Sequence, residues 1–159
     1  MQKLNQSYIN LVVRKALEED LRPRGDITTN LITAKDKIIK AKIIAKQDGV
    51  VAGLDFCKTA FKLIGKESVF TKKISDGKKI KKKKVIAIIK AKTKTILTAE
   101  RTALNFLNHA SGIATVTNQF VKKISKKTKI CCTRKTTPNL RTLESTLSKK
   151  VVAIIIDII

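Results

Sequence analysis

The string Thr133-Arg134-Lys135-Thr136-Thr137-Pro138 sets two cations side by side among three hydroxyls and closes on a proline. Directly before it, Ile130-Cys131-Cys132 reads as a short buried strand. Open α/β sheets and βα barrels hold their ligands just beyond the C-terminal ends of such strands. Arginine offers a planar fork that matches a carboxylate or phosphate, and lysine adds a mobile point charge. The guest that suits this string is a small polyanion. Other chemistry finds less support. Three cysteines, with Cys131 and Cys132 adjacent, do not make a disulfide framework. No Cys/His spacing matches a zinc site, so no metal ligand is assigned. The single histidine, His109, reads as a packed or surface polar residue.

The charge of the chain is compatible with such a guest. Its 159 residues carry a formal net charge of +23, a field that draws in small anionic substrates. A basic nucleic-acid-binding module is the alternative reading. Against it, the cations are 29 Lys and only 6 Arg, aromatic residues make up 4%, and Trp is absent. Base-edge contacts favour the arginine fork, and single strands need stacking platforms. The lysines read instead as a solvated surface. The length fits one domain, or one domain with part of a second. A hydrophobic content of 43% is enough for a core and excludes a wholly disordered chain. The longest apolar run, residues 151–156, is too short to cross a membrane. The N-terminus lacks a signal-peptide pattern, so the expectation is a cytoplasmic protein.

The elements that must position the cationic string follow from periodicity. Tyr8, Ile9, Val12 and Ala16 repeat at helical spacing, with Ser7 as the expected cap and an end near Leu21, before Pro23. Gly25-Asp26-Ile27-Thr28-Thr29 reads as a loop. Residues 37–45 alternate as a strand. Gly49 and Gly53 bracket an apolar step where backbones can approach closely. Residues 54–64 read as a helix. Residues 72–96 read as short strands about a turn at Asp76-Gly77. Within them the lysine run 81–84 reads as an exposed hairpin edge. The spacing predicts a helix over 98–124, capped by Thr98 with Glu100 near its positive end. One apolar face carries Leu104, Leu107, Ser111 and Ala114, and another carries Ile113, Val116, Phe120 and Ile124. Such a helix should lie wedged between layers. Ala110, Ser111 and Gly112 should permit close packing at its middle, and a basic loop should follow over 122–129.

Several separated strings together resemble the quinolinate phosphoribosyltransferase family, also called carboxylating nicotinate-nucleotide pyrophosphorylases. In order they are Ala16-Leu17-Glu18-Glu19-Asp20-Leu21, Gly25-Asp26-Ile27-Thr28-Thr29 and the Gly49 to Gly53 step. Then come Glu100-Arg101-Thr102-Ala103-Leu104-Asn105-Phe106-Leu107, Ser111-Gly112-Ile113-Ala114-Thr115, and the 133–138 string with Leu140-Arg141 and Leu143-Glu144. The resemblance covers residues 8–144. It implies an α+β fold, with an N-terminal α/β sandwich followed by the first strand of an incomplete open α/β barrel. The expected divisions are 1–112 for the sandwich, 113–144 for the start of the barrel and 145–159 as an out-of-frame tail. The family converts quinolinate and phosphoribosyl pyrophosphate to nicotinate mononucleotide, carbon dioxide and pyrophosphate for NAD synthesis. Mg2+ accompanies the pyrophosphate. Family members are homodimers in which one sandwich covers the other subunit's barrel mouth. Carried across by motif, Arg134, Lys135 and Thr136 bind substrate, and Arg101 reaches into the partner's site. A nicotinate phosphoribosyltransferase, the relative that does not decarboxylate, fits less well because of the Glu-Arg-Thr-Ala-Leu-Asn-Phe-Leu string. Three positions depart from the family pattern: Asn139, Lys83 and Ala91 stand where glycines are usual.

The tail departs further. After Leu-Glu the family continues Lys-Tyr-Ala, then a triple glycine, then His-Arg, whereas this chain reads Ser145-Thr146-Leu147-Ser148-Lys149-Lys150 and a run of Val and Ile. Codons can be chosen for residues 145–159 that, read one base earlier, encode Lys-Tyr-Ala-Leu-Lys-Lys-Gly-Gly-Gly-Tyr-Asn-His-Arg-Tyr-Asn. The loss of one A in the run at the Glu144 codon accounts for this. The expectation is a chain without the His-Arg pair, a later lysine, the ribose-holding acids and the phosphate-binding glycine loops. No catalytic residue is then assigned within it, and it should show no turnover alone. The apolar tail should behave as an unpaired, aggregation-prone strand.

Overall fold

The computed structural model describes residues 4–34, 36–124, 130, 133 and 135–151. Five helices and five strands are assigned in the described residues, in the order α1 (Gln6–Leu21), α2 (Ile27–Ile32), β1 (Ile38–Ile44), β2 (Gly49–Val50), α3 (Leu54–Ile64), β3 (Val69–Lys72), β4 (Lys79–Ile80), β5 (Val85–Lys92), α4 (Thr93–Lys123) and α5 (Arg141–Val151). An antiparallel sheet runs in the order β1-β5-β3, and β2 pairs with β4 in a second, two-stranded sheet. β5 is the central strand, and Ile86, Ala87, Ile89 and Ala91 on it are buried. The helices α1, α3 and α4 complete the core with Val13, Leu54, Cys57, Phe61, Ala103 and Leu107. This is the sandwich of the expected α+β fold. The expected barrel strand falls on Cys131 and Cys132, which lie outside the described residues, and Ile130 is half-buried with no strand assignment.

The long helix α4 is the spine. Its middle meets the Gly49–Gly53 step closely enough to exclude side chains there. A Cβ on Gly53 would sit 2.7 Å from Ala110 Cβ and 3.2 Å from the Phe106 carbonyl, and Gly53 has φ +92. A Cβ on Gly49 would meet Thr115 Oγ1 at 2.9 Å. The ring of Phe56 on α3 stacks on Phe106 of α4 at 5.3 Å between centroids. The expected close approach is therefore present, although Gly112 takes no part in it. Gly112 is exposed, and a Cβ there would meet nothing within 4 Å.

Other expectations shift for local reasons. The cap of α1 is Asn5, whose side chain accepts from the Ser7 N–H at 2.9 Å, so Ser7 lies inside the helix. The 25–29 segment is not all loop, because Asp26 caps α2 through the Thr29 N–H at 2.9 Å. α4 starts at Thr93 rather than Thr98; Asp36 accepts the Lys94 N–H at 3.0 Å and Thr93 donates to the Lys37 carbonyl. That puts Glu100 two turns in, away from the positive end, and turns the Thr98 hydroxyl toward Asp26. The second face of α4 is uncovered at its C-terminal end, where Val116 and Phe120 are more than half exposed. The helix is thus wedged between layers only over its first two-thirds. The lysines 81–84 form an exposed turn from β4 to β5 rather than a hairpin edge. Asp48 holds that turn through Lys81 Nζ at 2.7 Å and the Lys82 N–H at 2.8 Å. Lys83 and Asn139 both have positive φ, +68 and +66, a region where glycine is the residue free of steric cost. This accounts for the glycines usual at those two places.

Candidate functional site

The 133–138 segment leads into α5, which α4 holds in place. Leu143 is fully buried in the core and Leu140 packs beside it. Within the segment the Lys135 N–H donates to Thr133 Oγ1 at 3.2 Å, and Leu140 N–H closes a turn on the Thr137 carbonyl at 3.0 Å. Lys135 is exposed and Thr136 half-buried. Arg134 lies outside the described residues. Glu144, one turn into α5, accepts the Thr137 N–H at 3.2 Å, and its other oxygen faces His109 Nε2 at 3.2 Å. Burial pushes the Glu144 carboxyl up, but the hydrogen bonds from Thr137 and His109 prevail and hold it below the usual glutamate value. His109 is therefore a surface polar residue with a partner on α5.

Arg101 stands on α4 eight residues before His109. On an α-helix that is about 12 Å along the axis and about 80° around it. Its side chain is 76% exposed, and Nη1 donates to Asp20 Oδ1 at 3.1 Å. No hydrogen bond or ion pair among the described residues joins it to Lys135 or Thr136. Three residues before Arg101, Thr98 donates to Asp26 Oδ2 at 3.1 Å. Hydrogen bonds from Thr29 hold the Asp26 carboxyl below the usual aspartate value, with Thr98 and the Arg101 charge adding smaller contributions. A carboxyl held low stabilises the fold above its ordinary value, and loses that contribution as pH falls through the lowered one. Asp26→Ala is expected to cost about 1 kcal/mol by loss of the cap. Asp26→Asn should flatten the acid limb of the stability profile, measured by urea melts from pH 7 to pH 3.

Neither of two surface clefts, about 620 Å³ and about 820 Å³, is lined by Arg101, Lys135 or Thr136. The larger lies between β1 and α4 and is mainly apolar, with Glu100, Asn108 and Ser111 along it. Burial pushes the Cys57 thiol up to about 12, so it is a packed side chain rather than a nucleophile. Among the described residues no three His, Cys, Asp or Glu converge. Nor is any described helix long and apolar enough to cross a membrane.

Two hydroxyls have structural work that the strings alone do not disclose. Ser111 Oγ accepts the Ala52 N–H at 3.1 Å and lies 3.2 Å from the Ala52 carbonyl, to which it donates. Thr115 Oγ1 accepts the Val50 N–H at 2.9 Å while donating to the Ser111 carbonyl at 2.7 Å. Together they take the place of a neighbouring strand beside β2. Asp20, the Arg101 partner, and Asp26 both stood in strings that carry the resemblance, without a role assigned to either. Neither pairing has a signal in local spacing, because the partners are far apart in sequence.

Comparison with known proteins adds to this geometry. Residues 26–111 match the quinolinate phosphoribosyl transferase N-terminal domain, and residues 113–149 match its C-terminal domain. These matches place the chain in a class of phosphoribosyltransferases described by an N-terminal and a C-terminal domain. The chain belongs to the quinolinate phosphoribosyl transferase family. It is 40% identical over 141 residues to a probable carboxylating nicotinate-nucleotide pyrophosphorylase of Methanocaldococcus jannaschii, covering 86% of this chain and 48% of that protein. The carboxylating nicotinate-nucleotide pyrophosphorylase of Mycobacterium leprae is 36% identical, again over 48% of its length. The solved nicotinate-nucleotide pyrophosphorylase of Francisella tularensis superposes with TM-score 0.88 at 36% identity, over 94% of this chain and 54% of that one. NadC of Streptococcus pyogenes superposes with TM-score 0.91 at 34% identity. The chain spans about half the length of the relatives it matches.

Proposed function

We propose that this chain is the front portion of a carboxylating nicotinate-nucleotide pyrophosphorylase. The observation that carries the reading is a family match running from 26–111 into 113–149, across the Thr-Arg-Lys-Thr-Thr-Pro string. In that reading Arg134 and Lys135, with Thr136 beside them, hold the two carboxylates of quinolinate by charge-assisted hydrogen bonds. The ring nitrogen bonds to the ribose anomeric carbon of phosphoribosyl pyrophosphate as pyrophosphate leaves with its bonding electrons. The adjacent carboxylate departs as carbon dioxide, and the ring carbon takes a proton to give nicotinate mononucleotide. Mg2+ enters with the pyrophosphate group rather than on side chains of this chain.

The working unit in this reading is a homodimer of the full-length polypeptide, in the cytoplasm. Arg101 is largely exposed and paired with Asp20, which suits a side chain that serves the other subunit. Beside it Ile27, Leu31 and Ile32 of α2 are exposed, Leu31 to 78%, an apolar surface of the sort that a second copy covers.

The division at 112/113 and the out-of-frame tail from residue 145 belong to the same proposal. Sequencing the gene across the Glu144 codon tests the tail. The expected result is one further A, or an intact downstream frame encoding the triple glycine and His-Arg. A gene with neither contradicts the proposal and leaves a stand-alone half-barrel protein.

A further inference from the structure

We propose that Glu144 is the positioning residue of the 133–138 segment, with His109 as its orienting partner on α4. Two hydrogen bonds anchor the described residues of the segment. One end turns on the Thr133 hydroxyl, through the Lys135 N–H at 3.2 Å. The other end is gripped at the Thr137 N–H by Glu144 Oε2 at 3.2 Å. Only Thr136 stands between the two anchored amides, those of Lys135 and Thr137. The second Glu144 oxygen faces His109 Nε2 at 3.2 Å. An ionised carboxylate only accepts, so this contact assigns the proton to Nε2. The carboxylate therefore ties the segment to α4 near its buried Leu107 and Ala110. Its own backbone is fixed as well, since Glu144 N–H donates to the Leu140 carbonyl at 2.9 Å and its neighbour Leu143 is fully buried. The Glu144 side chain is 14% exposed and that of His109 43%, so the carboxylate is shielded while the imidazole flanks it. Bonds to a shielded charged acceptor are stronger than those between neutral groups. Held this way, the Lys135 backbone is set before any ligand arrives, and the cost of ordering it on binding is reduced.

The role assigned to Glu144 rests on reading the segment as the dicarboxylate-binding one, but its test does not. Amide hydrogen exchange of the 159-residue chain, followed by two-dimensional NMR, reads the clasp without substrate. Glu144→Ala is expected to speed exchange of the Thr137 amide about ten- to hundredfold, while the Val13 amide in the core keeps its rate. Glu144→Gln, which retains an acceptor oxygen, should restore most of the protection. If Glu144→Ala fails to fold, His109→Leu reads the same clasp from α4. It should speed Thr137 exchange several-fold, and His109→Gln, which can still donate, should reverse that. Unchanged Thr137 exchange in a folded Glu144→Ala or His109→Leu chain overturns the proposal. A clasp that behaves as stated in a chain whose restored-frame form never uses quinolinate leaves the positioning intact and removes the functional reading instead.

Discussion

Gly53→Ala is expected to be the most damaging single-methyl change in the sandwich. The added carbon would lie 2.7 Å from Ala110 Cβ and 3.2 Å from a backbone carbonyl of α4, neither of which is the far end of a flexible side chain. The residue also has φ +92, where a Cβ is strained whatever the space. Left-handed strain of about 1–2 kcal/mol adds to overpacking of about 1–3 kcal/mol. The total, roughly 2–5 kcal/mol, is a large share of the 5–15 kcal/mol that a typical domain has. In a chain of this size it should lower the midpoint of thermal unfolding by about 5–15 °C. Gly112→Ala is the matched control. It lies in α4 with open space around its Cβ position, so alanine should gain roughly 0.5–1 kcal/mol of helix propensity. Circular dichroism melts of the two variants check both signs. Equal melts would mean that the step from Gly49 to Gly53 does not rest on α4 as described.

In the polypeptide with the frame restored, Arg101→Ala and Lys135→Ala should each lower kcat/KM for quinolinate about a hundredfold or more, the scale for removing one charged donor from a desolvated site. The two losses should complement each other. If Arg101 serves the partner's site, a mixed dimer has one site with both residues and one with neither. Random re-association of the two inactive variants should then recover about a quarter of the parental activity, since half of the dimers are mixed and each has one working site. If Arg101 serves its own subunit, every site in the mixture lacks one cation and no activity returns. Arg101 is largely exposed and held by Asp20, with no hydrogen bond to Lys135 or Thr136 among the described residues, and this makes the first result the expected one.

The sequence disclosed elements wherever periodicity is strong. α3 has its expected bounds, and β1 lies within one residue of its own, because both alternate or repeat cleanly. Close packing was legible separately at the Gly49–Gly53 step and at the small-residue stretch of α4, but that the two meet is shown only by the fold. Helix starts were harder, since the true caps are Asn5 for α1 and the distant Asp36 for α4. A cap supplied from 58 residues away leaves no mark at the helix it serves. The exposed end of α4 was read as buried because an apolar stripe says only that something covers it, not that the cover lies in the same chain. At the site, the cationic string stood out by residue type, and Arg101 only through the family resemblance. Asp20, Glu144 and His109 did not, because their roles depend on which helices meet. Ser111 and Thr115 were visible as a motif, but only the fold assigns their hydroxyls to the backbone of β2.

Release of carbon dioxide from quinolinate labelled in its 2-carboxylate tests the central claim most directly. The account predicts release by the polypeptide encoded when one A is returned at the Glu144 codon, only in the presence of phosphoribosyl pyrophosphate, and none by the 159-residue chain. Release by the 159-residue chain, or none from a folded restored polypeptide, would contradict it.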